Sequence, residues 1–316
     1  TVEGFPIILY INGVCQGIYD FNLDRYSYSA YGYDVPEYAN TCRSYEISAN
    51  SNSTAGAFIK WDASKGVDEH TWYASDFRGI YPPSIQTASN DDYALLKNLI
   101  SFVADSTDDV FRDEFDIYFD RESVFRYYIL VMLLGAVDSL GKNAKLTTFD
   151  GIKWYFQFYD LDTIFGLDNS GAEKYDVDIE MEEGTFNTYS STLWVRVREL
   201  FKNELLAEYT NMRNEYLKVD KFMECIFEKQ IERIPQRYYN LTTQLKYLDF
   251  GGSYLMVSYG NRYYSLKRWI NERFLFMDTL MGYTATTSNY ATVRAGIEGD
   301  LYFEIQPGDF TDQVLI

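Results

Sequence analysis

Residues 125–168 read FRYYILVMLLGAVDSLGKNAKLTTFDGIKWYFQFYDLDTIFGLD. The apolar run up to Val137 predicts a helix that delivers Asp138 and Asn143 to a turn. A polar hairpin follows, then a buried strand that ends in Asp160 and Asp162. Carboxylates at the ends of apolar runs need their desolvation compensated, by a bound cation or by a close hydrogen-bonding partner. The stretch therefore predicts a metal site.

Spacing narrows the chemistry. Asp138 stands five residues before Asn143, the D-x-x-x-x-N spacing of a kinase catalytic loop. There the aspartate accepts the proton of a substrate hydroxyl and the asparagine holds magnesium. Asp160-Leu-Asp162, after the hairpin, falls where kinases keep their metal-binding aspartate. The same residues also fit structural roles: Asp138 capping a helix end or turn, Asp160 and Asp162 accepting backbone hydrogen bonds. Nucleotide-sugar transferases use Asp-x-Asp with a divalent ion as well, and two carboxylates across a cleft would serve a carbohydrate-active enzyme. An EF-hand is excluded, because Ile164 stands at the next ligand position and no bidentate Glu closes the loop.

Working outward, the chain of 316 residues, 47% hydrophobic and 18% aromatic, can bury a large core. With 30 Tyr and 22 Phe it carries an excess of side chains suited to half-buried surfaces and interfaces, which points to an assembly. A formal charge of -19 repels nucleic acid and anionic lipid. The longest apolar run, Tyr127 to Val137, is too short to cross a bilayer, so no membrane is expected. Cys15, Cys42 and Cys225 form no metal or disulfide pattern and read as free, largely buried thiols. The single histidine, His70, reads as a surface residue, which removes Ser-His-Asp and histidine-zinc mechanisms.

The N-terminal stretch GFPIILYINGVCQGIYDFNL places β-formers around Asn12-Gly13, a type I′ turn signal, and predicts paired strands at Pro6 to Ile11 and Gln16 to Leu23. It also suggests that the full protein extends upstream. Asp24 to Pro83 reads as a loop-rich β region with strands near Arg43 to Ala49 and Ala57 to Trp61. Helices are expected after Pro82-Pro83: one with Leu95, Leu96, Leu99, Ile100 and Val103 on a single face, and one capped by Asp120. An acidic run, 176–183, could supply a further ligand but more commonly forms a solvated face. Further helices are predicted near Ser191 to Leu217, Lys221 to Ile234 and Asn261 to Met281, before strand-like alternation from Tyr290 to Ile316.

GFPIILYINGVCQGIYDF resembles the opening hairpin of CotH-type proteins, the spore-coat kinase family with an atypical protein-kinase-like fold. The block Phe125-Arg-Tyr-Tyr through Asp138, Asn143 and Phe158-Tyr-Asp-Leu-Asp-Thr-Ile-Phe-Gly166 is similar to that family's second signature. The resemblance covers about residues 4 to 280 and implies an α+β fold: a β-rich part (1–83), a helical lobe bearing the site (84–282) and the start of a small β module (283–316). It implies Asp138 as the catalytic aspartate, Asn143 and Asp160 as ligands of magnesium or manganese with Asp162 beside them, and ATP as phosphate donor to a protein acceptor. The family's upstream β region supplies the arginine and lysine that hold the ATP phosphates; Lys60 and Lys142 are the nearest substitutes within this chain. The wording VDSLGKN, FYDLDT and KYDVDIEME looks most like CotH-like domains in bacteriophage tail, neck or fibre proteins. That context implies a virion location, with other virion proteins or further copies of the chain as partners.

Overall fold

The computed structural model describes residues 4–48, 58, 60–87, 93–161, 163–168, 172–179, 191–225, 234–235, 237–242, 259–284, 292–295 and 301–304. Around the Asn12-Gly13 turn, strands β1 (Gly4–Ile11) and β2 (Val14–Asn22) pair antiparallel with a bulge between Leu9 and Tyr10. Asn12 and Gly13 both have positive φ, as a type I′ turn requires. This ribbon stands apart from the main sheet. It leans on residues 237–242, where the Ile18 N–H donates to Thr242 Oγ1 at 2.7 Å.

The main sheet is antiparallel in the order β4-β3-β5-β6, built from β3 (Arg43–Ile47), β4 (Phe77–Tyr81), β5 (Ala144–Thr148) and β6 (Trp154–Phe158). Two strands come from each side of Pro82-Pro83. Alternation along the strands gives the sheet two unlike faces. Tyr45, Ile47, Leu146, Trp154 and Phe156 join the helices in one large apolar core. The opposite face carries Ser44, Glu46, Lys145, Thr147 and Gln157, covered by the tyrosine-rich residues 24–42. Tyr33 is fully buried there, and its hydroxyl lies at hydrogen-bonding distance from Thr147, Gln157 and Ser44.

The helices are α1 (Glu69–Asp76), α2 (Ala94–Asp105), α3 (Asp108–Tyr118), α4 (Arg121–Leu134), α5 (Thr192–Leu200), α6 (Lys202–Glu215), α7 (Val219–Met223) and α8 (Tyr259–Met281). On α2, Leu96, Leu99, Ile100 and Val103 face the core as their spacing predicts. Asp120 caps α4 by accepting from the Ser123 N–H, and Gly135 ends it in the left-handed conformation. A further antiparallel hairpin, β7 (Thr292–Ala295) with β8 (Leu301–Glu304), matches the alternation in the tail.

Several expectations are corrected. α1 lies inside the region read as loop and strand. Phe58, Lys60 and Trp61 are not in a strand. Only Cys42 is a buried thiol; Cys15 is half-buried and Cys225 exposed. His70 is half-buried, its ring edge-on to Tyr93 at 5.5 Å. Much of the helix expected over Lys221 to Ile234, and part of the acidic run, lie outside the described residues.

Candidate functional site

The site forms where α4 ends. After Gly135 the chain turns through residues 136–143, held inside the core by two contacts to its carbonyls. Trp194 Nε1 donates to Leu140 O at 2.8 Å, and the Tyr127 hydroxyl donates to Ser139 O. Burial, with the nearby Asp138 charge adding to it, pushes the Tyr127 phenol well above its ordinary range, so it stays a neutral donor.

This turn brings Asp138 and Asn143 into direct contact. Asn143 Nδ2 donates to Asp138 Oδ2 at 2.8 Å, and Thr163 Oγ1 donates to Asp138 Oδ1 at 3.1 Å. Asp138 is 7% exposed and Asn143 6%, so the carboxylate's desolvation is met by neutral donors on both oxygens. Asn143 takes φ +54°, a left-handed position that asparagine tolerates better than most residues. β5 begins at the next residue.

Asp160 arrives from the other strand of the hairpin. Ala144 pairs with Phe158, so Asn143, just before β5, and Asp160, two residues past Phe158, lie at the same end of the ladder. Asp160 is exposed and has φ +58°. Past it the chain is pinned to the end of α4: the Phe165 N–H donates to Leu134 O at 2.7 Å. Gly166 follows with φ +77°, in a space where a Cβ would meet Trp269 Nε1 at 2.5 Å and Tyr175 O at 2.7 Å. Trp269 and Arg273, both on α8, secure this segment. Trp269 Nε1 donates to Tyr175 O at 3.2 Å, and Arg273 donates to Met132 O, Val177 O and Ile179 O.

Of the sequence-predicted site residues, Asp138 and Asn143 therefore touch, Asp160 is placed beside them at the strand ends, and Asp162 lies outside the described residues. Among the described residues no cluster of three or more His, Cys, Asp or Glu side chains gathers. The oxygen donors at this end are the carboxylates of Asp138 and Asp160 and the amide oxygen of Asn143, whose NH2 group is turned to Asp138. Lys60 is exposed and pairs with Asp105.

Thr163 and Lys145 had escaped the sequence reading. The first is an unremarked residue between Asp162 and Ile164; the second reads as one more polar residue of the hairpin. Lys145 is fully buried, with its ammonium 3.7 Å from the Tyr31 ring centre and 5.3 Å from that of Tyr159. Its neighbours on the adjoining strands are Glu46 and Gln157. Arg25 pairs with Glu46 and with the Tyr159 hydroxyl. Burial, then the Arg25 charge, lowers the Lys145 pKa to about 8.

The α+β fold sets an aspartate and an asparagine at this spacing ahead of a β-hairpin and a second aspartate where the hairpin returns to the same end, an arrangement in keeping with a kinase-like fold. The chain belongs to the CotH kinase protein family, whose model matches residues 3–277. No curated protein matches it.

Proposed function

We propose that this chain is the kinase-type domain of a phosphotransferase that moves the terminal phosphoryl group of ATP to a protein hydroxyl. The observation that carries this reading is the buried Asp138–Asn143 contact at the mouth of the β5–β6 hairpin, with Asp160 at the same end. Asp138 accepts the proton that the acceptor hydroxyl gives up as its oxygen bonds to phosphorus; the leaving group departs as ADP. Thr163 and Asn143 hold the Asp138 carboxylate in one orientation, so the base is aimed before substrate arrives. The donor set is hard oxygen with few carboxylates, which suits magnesium or manganese rather than a protein-enclosed calcium. Asn143 and Asp160 would hold such an ion, with Asp162 as a further candidate, and the ion would neutralise charge on the triphosphate.

The test is radiolabel transfer from ATP by the full chain. Asp138→Ala should lower the rate about 100-fold to 10,000-fold, the span expected for loss of a general base, with thermal stability measured alongside. A folded wild type that transfers no label overturns the reading.

We also place the domain in a bacteriophage virion protein, in contact with other virion proteins or copies of itself. The exposed apolar side chains of the β1–β2 ribbon favour this reading: Phe5, Tyr19 and Phe21 are 48%, 45% and 53% exposed, and the tilted rings of Phe5 and Phe21 lie 5.2 Å apart.

A further inference from the structure

The polar face of the main sheet holds two donors in need of an acceptor. Lys145 Nζ and Tyr31 Oη are both shut off from solvent, and neither has a hydrogen-bond partner among the described residues. They are neighbours, since the ammonium lies over the Tyr31 ring at 3.7 Å. Arg25 stands in the same cluster, its guanidinium 4.5 Å from the Tyr159 ring centre. The charges do not balance locally. Arg25 and Lys145 face one buried carboxylate, Glu46, which Arg25 already engages; Asp24 is exposed. In a chain of net charge -19, a buried surplus of cation with two unsatisfied donors is costly, and a bound oxyanion would offset that cost.

We infer that Lys145, Tyr31 and Arg25 form a seat for a phosphate oxyanion on the sheet face opposite the helices. The inference rests on the phosphotransferase reading only for where the phosphate comes from. Lys145 follows Asn143 by two residues and Tyr159 directly precedes Asp160, so the seat adjoins the strand ends that carry the proposed site. That position fits the phosphates of a donor nucleotide, and free phosphate presents the same oxygens. Residues 24–42 carry Tyr31 and Arg25 and cover Lys145, so the anion enters as that segment opens, and the seat completes as it closes again with the Tyr31 ring shifted off the ammonium.

Calorimetric titration of the full chain, with ATP-magnesium and separately with inorganic phosphate, tests this. Lys145→Met removes the charge at similar length and should weaken binding of the phosphate probe about 10-fold to 100-fold, the value of a charge-assisted hydrogen bond. Tyr31→Phe keeps the ring and should weaken it about 3-fold to 10-fold. Binding of ATP alone, lost in Lys145→Met, assigns the seat to the nucleotide; binding of both, lost together, shows that phosphate suffices. Absence of binding by wild type, or equal binding by wild type and Lys145→Met, overturns the seat. Asp138→Ala keeps the two readings apart: it should slow transfer by about 100-fold to 10,000-fold and leave phosphate binding intact. Full transfer activity in Lys145→Met would sink the seat and spare the phosphotransferase, whereas lysine-dependent binding without transfer in the wild type would do the reverse.

Discussion

Lys145 shows what a single residue can cost and how it is read out. Its pKa falls from 10.5 to about 8, so between those values the unfolded chain binds a proton that the folded chain has released. Stability therefore rises with pH from about 8, and the penalty is present in full below that; its size is on the order of 3 kcal/mol. Tyr31 works in the opposite sense. Its pKa is raised from 10.0 to about 12, by burial first and then by Tyr33, Tyr159 and Asp24, so above about pH 10 the unfolded chain ionises first and stability declines. Burial likewise pushes the Cys42 thiol from 9.0 up to about 12, so its unfolded form ionises first above about pH 9 and offsets the lysine's rise. Chemical denaturation across pH 7 to 11 should show a rise from about pH 8 to 9, a plateau, and a fall above about pH 10. Lys145→Met should be more stable than wild type at pH 7 and should lose the rising limb. At this scale the sequence was legible only where partners are local. Asp138 and Asn143 meet within one turn, so their spacing exposed them. Lys145 meets Tyr31 and Arg25 across more than a hundred residues, and nothing in its own neighbourhood marks it as buried.

Among the elements, α4 and the hairpin after it were legible from an aspartate cap, an apolar run and a polar hairpin, although the helix stops at Gly135, short of the Val137 that the apolar run reached. α1 was not. Its residues, EHTWYASD, have weak helix propensity, and the helix is held instead by the Asp68 side chain accepting from the Thr71 N–H and by burial of Trp72 and Tyr73. The segment after β6 depends on a glycine whose role the sequence hides. Gly166→Ala would place a methyl group 2.5 Å from Trp269 Nε1 and 2.7 Å from a backbone oxygen, at φ +77°. The left-handed backbone costs about 1 to 2 kcal/mol and the crowding about 1 to 3 more. Thermal unfolding should register a loss of at least 2 kcal/mol. Transfer activity should fall too, because the same segment carries Asp160 and Thr163; a variant as stable and active as wild type would show that Trp269 yields freely.

For the molecule as a whole, one core joins the inner sheet face to the helices, while the β1–β2 ribbon is left with Phe5, Tyr19 and Phe21 in solvent. A two-stranded ribbon gains little stability alone, so its exposed face belongs to a contact if the virion reading holds. Cross-linking of purified particles followed by mass spectrometry should then recover links from residues 4–22 to other chains. Recovery of the protein only as a free monomer, outside particles, would remove the virion reading. The apolar alternation of this ribbon was evident from sequence, but its separation from the main sheet was not, because alternation fixes faces and not which sheet a strand joins.

Arg273, fully buried, reaches back to the carbonyl of Met132, 141 residues earlier, as well as to Val177 and Ile179. A ribosome releases the aspartate-bearing turn long before it releases this arginine. The nascent chain thus carries an unbraced Asp138 turn until α8 emerges, and contacts of such long sequence separation form late. On the proposed reading, phosphoryl transfer by this domain would accordingly switch on only after α8 has been released.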